Sequence, residues 1–242
     1  REPAKKPTPA KKPTPARKPS SGKKYGWELE AGLNFSGNTG NTDKLDFGLT
    51  IDSQFLQKFY RIDLYGRYSY GTSRDRLTAD EAIIGGRYTN FFYKRFGYFL
   101  REELEQDKKE LIDIRSTTAG GFSYKIFDSK SLDFEVSTGL SYRYEIDFDD
   151  EEDDFPGMDF GVDVSWQFSE YFRFKGRYGF IPSFISSDDF IVTQNSSIDI
   201  PLTKGSPWKL RLGLTSKYNN SPKRNRDRLD NKYYIRLVAS WK

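Results

Sequence analysis

From Tyr25 onward, apolar and polar residues alternate with a period of two, the pattern of strands whose two faces meet different surroundings. The clearest run spans residues 131–145. One of its faces carries Leu132, Phe134, Val136, Thr138, Leu140, Tyr142 and Tyr144, and the other carries Asp133, Glu135, Ser137, Ser141, Arg143 and Glu145. Runs of this kind recur as far as Trp241. They predict twelve strands of about 10–14 residues each, which is long enough for tilted strands that cross a bilayer.

The predicted strands form one closed antiparallel sheet, so the fold class is all-β, a twelve-stranded outer-membrane β-barrel over residues 25–242. An even strand number places both ends of the barrel on one side of the membrane, which we expect to be the periplasm of a Gram-negative bacterium. Connections after strands three, seven, nine and eleven are expected to be longer than the others. The alternative is a soluble β-sandwich or lipocalin-like barrel, but these side chains could not fill a soluble twelve-stranded barrel.

Composition supports a membrane barrel more than a soluble core. Aromatic residues make up 17% and charged residues 31% of the chain, and the mean hydropathy is −0.78. No stretch approaches the roughly 18–20 apolar residues of a spanning helix. The chain has neither His nor Cys, which excludes a Ser-His-Asp triad, a thiolate nucleophile and imidazole or thiolate metal ligands, and no motif points to carboxylate, Lys or Tyr chemistry. We therefore expect no enzyme, no cofactor and no metal site.

Residues 1–24 have a different composition, with the unit KKPTPA at Lys5–Ala10 and again at Lys11–Ala16. Such a segment has little to bury and favours an extended, disordered chain. No signal peptide is present, so a processed form is expected. Nine positive residues and one negative residue give this tail a net charge of +8. The whole chain is +4, so residues 25–242 carry −4.

The basic tail has two interpretations. It is either a spacer that its charge keeps soluble, or a tether to an anionic partner such as peptidoglycan or a periplasmic or outer-membrane protein. Nucleic acid is not expected, because no base-reading module follows the tail. The residues that would bind such a partner are Lys5, Lys6, Lys11, Lys12, Arg17 and Lys18.

If the apolar faces point to lipid, the polar faces line the lumen. Strands nine, eleven and twelve then form a basic wall with Arg173, Lys175, Arg177, Lys209, Arg211 and Arg236. Strands five to eight form an acidic wall with Glu103, Asp113, Glu135, Glu145, Asp159 and Asp163. Either the two walls pair and narrow the lumen, or they stay apart and orient a passing polar or anionic solute.

Two connections are strongly charged. The one after strand seven contains the acidic run DFDDEEDDFPG, which lacks the ligand spacing of a Ca²⁺ loop and is expected to be a solvated loop. The one after strand eleven contains KRNRDR, whose basic residues could contact lipopolysaccharide phosphates, pair with the acidic loop and cover the pore, or simply keep the loop soluble. Outer-membrane lipid and lipopolysaccharide are the partners that the fold itself implies.

Several segments resemble one known family. Phe35–Leu45, FSGNTGNTDKL, is similar to a Ser-Gly-Asn-Thr hairpin after the first strand, and Tyr98–Tyr124 carries EELEQD, IDIRS and AGGFSYKIF. The last strand, YYIRLVASW, resembles a barrel-assembly signal, although Lys242 follows it where an aromatic residue would stand. The chain over residues 25–242 thus resembles the salt-induced outer-membrane proteins, domain of unknown function 481. That resemblance implies a β-barrel and no agreed activity.

Two functions remain open from the sequence. The first is a small passive channel for polar or anionic solutes. The second is a non-conducting structural or anchoring barrel whose tail holds a partner. A translocator for an N-terminal passenger would need a long helix in the pore, which the proline-rich tail cannot form.

Overall fold

The computed structural model describes residues 25–38, 44–74, 76–93, 95–203, 205–222 and 227–241. These residues contain twelve strands: β1 (Gly26–Asn38), β2 (Lys44–Leu56), β3 (Tyr60–Ser73), β4 (Arg76–Tyr93), β5 (Phe96–Asp107), β6 (Ile112–Asp128), β7 (Leu132–Asp147), β8 (Glu152–Gln167), β9 (Arg173–Pro182), β10 (Phe190–Pro201), β11 (Trp208–Asn219) and β12 (Leu229–Trp241). No helix within these ranges is long and apolar enough to cross a membrane. The tail residues of the sequence analysis lie outside the described ranges.

The strands close into one antiparallel barrel in chain order. Closure comes from β1 and β12, which pair from Leu29 with Trp241 to Leu33 with Leu237. The start of β1 and the end of β12 therefore lie at the same rim, which we call the proximal rim, and the opposite end is the distal rim. The predicted fold class and strand number are confirmed, including β10, whose sequence pattern is the weakest.

The barrel has an apolar outside and a polar inside. Leu33, Ile84, Leu140 and Ile235 are more than half exposed, whereas Glu135 has an exposed fraction of only 1%. A soluble barrel would show the opposite arrangement, because apolar side chains gain most by leaving water. The soluble alternative is therefore wrong, and the exposed apolar band is the surface that a bilayer covers.

Aromatic side chains mark the proximal end of this band. Trp27, Phe55, Tyr60, Tyr88 and Tyr98 form a continuous row across β1 to β5, with successive ring centroids 4.8 to 6.2 Å apart. Amphipathic rings prefer the level of the lipid headgroups. The row therefore indicates where the proximal interface of the membrane crosses these strands.

Two predicted long connections are in fact short. Only residues 74–75 join β3 to β4, and only residues 148–151 join β7 to β8. The acidic run after strand seven is thus mostly strand, since β7 includes Asp147 and β8 begins at Glu152. Beyond the bilayer, water satisfies polar side chains on both faces of a hairpin, so the alternation that reveals a strand in the sequence disappears there. The longer connections at the distal rim are residues 183–189 and 220–228, and residues 223–226 of the basic run lie outside the described ranges.

Candidate functional site in the barrel lumen

The lumen contains three groups of ion pairs. The first, which we call the Glu30 cluster, consists of Glu30, Asp199, Lys175, Lys209 and Arg211, and it spans the wall from β9 to β1. Arg211 donates to Glu30 at 2.7 Å and to Asp199 at 2.5 and 2.9 Å. Lys175 and Lys209 also donate to Glu30. One carboxylate therefore holds three cations that the pattern placed on a single basic wall.

The second group, the Glu135 cluster, joins more distant strands. Arg61 on β3 reaches Glu135 on β7 at 3.0 Å, and Arg87 on β4 lies 3.6 Å from the same carboxylate. Asp163 on β8 binds Arg177 on β9 at 2.7 Å and lies 4.0 Å from Arg87. Three strands lie between β3 and β7, so these side chains cross the lumen and do not merely run along its wall.

The third group, the distal cluster, lies near the distal rim and is centred on Arg115. Its guanidinium binds Glu145 at 2.7 Å and Glu105 at 2.9 Å. Lys217 completes the group by binding Glu105 at 2.7 Å and Glu110 at 3.0 Å. Lys217 belongs to β11 and Glu105 to β5, and five strands lie between them in either direction around the twelve-stranded barrel. Their ion pair therefore joins opposite walls of the barrel.

A cavity of about 270 Å³ lies beside the distal cluster. Its lining includes Arg115, Arg143, Glu145, Lys217 and Asp189. Arg143 binds Asp189, from the connection between β9 and β10, through two contacts of 3.0 Å. This connection therefore folds inward and narrows the distal entrance.

Three carboxylates near this entrance come close together. Oxygens of Glu81, Glu105 and Asp107 all lie within 4.8 Å of one another, a spacing that could hold a metal ion. Two of the three already bind ammonium groups, because Lys232 donates to Glu81 and Lys217 to Glu105. Asp107 accepts backbone N–H groups from the turn that follows β5. These cations supply part of the counter-charge that a metal ion would otherwise provide.

The structure brings most of the predicted wall residues into these groups. Lys175, Lys209 and Arg211 join the Glu30 cluster, and Arg177, Glu135 and Asp163 join the Glu135 cluster. The remaining contacts are Glu145 with Arg115, Asp159 with Arg101 at 3.1 Å, Glu103 with the Tyr65 hydroxyl at 2.5 Å, Arg173 with Gln167 at 2.7 Å, and Arg236 with Asn34 at 3.3 Å. The two predicted walls do not simply pair with each other, because apart from the Arg177–Asp163 pair the ion pairs described above join wall residues to charges outside the two sets.

Asp113 is the exception, and its predicted place on the acidic wall is wrong. A register shift between Ile112 and Ile114 interrupts the alternation of β6. Asp113 then accepts a hydrogen bond of 3.1 Å from Gln106, which shares the outward face of β5 with the exposed Leu104. Such a bulge changes which face a side chain occupies, and the sequence contains no signal of it.

Sequence reasoning missed two kinds of lumenal residue. Glu110 and Asp189 come from connections, where a strand period cannot assign a face. Aromatic rings also line the interior: the guanidinium carbons of Arg87 and Arg143 lie 4.1 Å from the ring centroids of Phe99 and Phe155, and Lys125 Nζ lies 4.0 Å from that of Phe91. These three phenylalanines fall on the polar, inward-facing positions of their strands, and this position in the sequence could have revealed them. A phenylalanine there is suited to bind a cation, because cations stack well on desolvated rings.

Residues 29–241 match the family described as "Protein of unknown function, DUF481". The chain belongs to this family. The predicted resemblance is therefore confirmed for the barrel as a whole, while the salt-induced designation stays a prediction. No curated protein matches the sequence.

Solved structures share the fold at low sequence identity. The NanC porin, seen in a rhombohedral crystal form, is 11% identical with a TM-score of 0.51, over 88% of this chain and 98% of that one. The translocator domain of autotransporter NalP from Neisseria meningitidis is 9% identical with a TM-score of 0.50, over 91% and 89%. The KdgM porin is 12% identical with a TM-score of 0.43, over 89% and 98%. The chain thus has the barrel fold of Gram-negative outer-membrane proteins.

Proposed function

We propose that the protein is a structural outer-membrane barrel that does not conduct ions in its ground state. The observation that carries this proposal is the ion pair between Lys217 and Glu105, which joins opposite walls near the distal entrance. Arg115, with a side-chain exposed fraction of 5%, fills the space beside it. A hydrated ion would have to break several buried, charge-assisted hydrogen bonds to pass, and such bonds contribute about 1.5–3 kcal/mol each.

The anchoring part of the proposal concerns the proximal rim. Both ends of the barrel lie there, and the tail with its net charge of +8 precedes β1. With the proximal rim in the periplasm, the tail would face the cell wall and bind anionic peptidoglycan. Sedimentation with purified peptidoglycan tests this directly. The full chain should sediment, and a chain that lacks residues 1–24 should stay in the supernatant, whereas equal sedimentation of both would refute a tether.

Single-channel recording in planar bilayers tests the closed lumen. The full chain should be silent, with folding confirmed by heat-modifiable gel migration. The double substitution Glu105→Gln and Lys217→Met removes the wall-to-wall pair without changing the net charge, and it should produce conductance steps. The control Lys58→Met alters a cation at the proximal turn and should remain silent. Steady ion-selective steps from the unmodified chain would refute the proposal.

A passive channel for small anionic solutes is the second candidate. It is favoured by Arg177, whose side chain is 50% exposed inside the lumen although it binds Asp163. That exposure requires water-filled space in the middle of the barrel. If the unmodified chain conducts, Arg177→Gln should lower its preference for anions over cations, because a positive constriction attracts anions.

A further inference from the structure

We propose that Arg67 and Arg236 form a binding site for a small oxyanion or carboxylate in the middle of the lumen. The site does not depend on whether the barrel conducts. It lies apart from the Glu30, Glu135 and distal clusters, and it is defined by two arginines that find no carboxylate partner among the described residues.

The sheet register places the two arginines on neighbouring positions of the same wall. Thr50 on β2 is the Cα partner both of Gly32 on β1 and of Arg67 on β3. Arg236, on β12, reaches over β1 and donates to the Thr50 hydroxyl at 3.2 Å and to Asn34 at 3.3 Å. The two arginines therefore flank Thr50 on one wall of the lumen.

Gly32 makes this reach possible. A Cβ at position 32 would lie 2.5 Å from Cδ of Arg236 and 2.9 Å from the Thr50 hydroxyl oxygen. The missing side chain therefore leaves a groove in which the Arg236 side chain lies across β1. Its guanidinium also stacks at 4.3 Å from the Tyr234 ring centroid. These contacts fix its position before any ligand arrives, which reduces the entropy lost on binding.

The charges around the pair are unbalanced. Arg67 stacks on the Tyr65 ring at 5.2 Å and makes no hydrogen bond or ion pair with any described residue. Besides the Tyr234 hydroxyl, the side chains with the largest electrostatic influence on Arg236 are Arg211, Arg67 and Asp52, and no ion pair joins Arg236 to Asp52 among the described residues. Arg211 is already bound to Glu30 and Asp199. Two guanidinium groups, which stay charged at all physiological pH values, thus lie on one wall with no ion pair to a carboxylate among the described residues.

The ligand class follows from the donors present. Guanidinium groups present paired N–H donors that match the oxygens of carboxylates, sulfate and phosphate. On Arg236, Nε and one terminal nitrogen are occupied by neutral acceptors, and the second terminal nitrogen has no described partner. All donors of Arg67 remain available. An anion between them would accept hydrogen bonds from both arginines and supply the missing negative charge.

Isothermal titration of the folded full chain in non-ionic detergent and low-salt buffer, with sodium sulfate as the probe, tests the site. Saturable binding of one sulfate per barrel is expected. Arg67→Gln and Arg236→Gln should each weaken it by about tenfold or more, since each removes a charge-assisted donor. The matched control Arg76→Gln, an exposed arginine at the distal end of β4, should bind like the unmodified chain.

Folding of each variant is checked by heat-modifiable gel migration. If Arg67→Gln does not fold, Arg67→Lys replaces it in the titration. This variant should bind sulfate more weakly than the unmodified chain, because lysine lacks the planar pair of donors. Three results would overturn the proposal: no saturable binding by the unmodified chain, unchanged affinity in the Arg67 or Arg236 variants, or an equal loss in Arg76→Gln.

Discussion

The Glu30 cluster offers the sharpest test of whether lumenal ion pairs stabilise this barrel. Glu30→Gln preserves the side-chain shape and removes the charge that three cations share. Lys175, Lys209 and Arg211 would then face Asp199 alone. Because the side chains of Glu30 and Arg211 are each only 8% exposed, the surplus positive charge cannot be fully hydrated.

The expected magnitude follows from this burial. Removing one partner of a buried ion pair costs about 3–5 kcal/mol, whereas exposed pairs contribute at most about 1 kcal/mol. Lys175 is 36% exposed and can turn toward water, which favours the lower end of the buried range. We therefore expect Glu30→Gln to lower the free energy of unfolding by about 3 kcal/mol.

Urea unfolding in lipid vesicles, followed by tryptophan fluorescence, measures this change. The control Glu151→Gln alters an exposed carboxylate at the distal turn and should change stability by less than about 0.5 kcal/mol. Adding Lys209→Met to Glu30→Gln should restore part of the loss, because it removes one of the unbalanced cations. A cost below about 1 kcal/mol for Glu30→Gln would show that the cluster is hydrated like a surface pair and would refute the reasoning.

Three further predictions concern other parts of the barrel. Gly32→Ala should displace Arg236 and lower the free energy of unfolding by about 1–2 kcal/mol in the same assay, because two hydrogen bonds of Arg236 are lost. An unchanged unfolding midpoint would contradict the close approach of the Arg236 side chain to Gly32. Leu140→Lys should lower stability by about 2–4 kcal/mol in lipid vesicles, since this half-exposed leucine faces the bilayer, and a neutral effect there would place it in water. The hydrogen bond and charge of Asp80 raise the pKa of Lys108 at the distal turn. The stability from this pair is complete below the ordinary lysine pKa and is lost as pH rises through the raised value, so Lys108→Met should remove that part of the alkaline dependence of the unfolding midpoint.

The alternation of residues along each strand was sufficient to predict the barrel. A side-chain period of two follows from strand geometry, and the choice of face follows from the difference between lipid and lumen. Both are local properties, so the twelve strands, the lumenal position of Glu135 and the lipid-facing position of Leu140 could be read from the sequence. The prediction was wrong in two places where the local sequence pattern does not match the structure. These are the short β3–β4 and β7–β8 hairpins and the bulge that turns Asp113 outward.

Which charges meet inside the lumen was decided only by the tertiary structure. The sequence placed Lys217 and Glu105 on polar faces, but their contact depends on the barrel radius and on the stagger of all twelve strands. The same holds for Arg236, which meets Thr50 because barrel closure brings β12 beside β1 and because Gly32 leaves room to cross it. Ion pairing depends on distances of a few ångströms between residues far apart in the chain, whereas the period that defines a strand needs only its nearest neighbours.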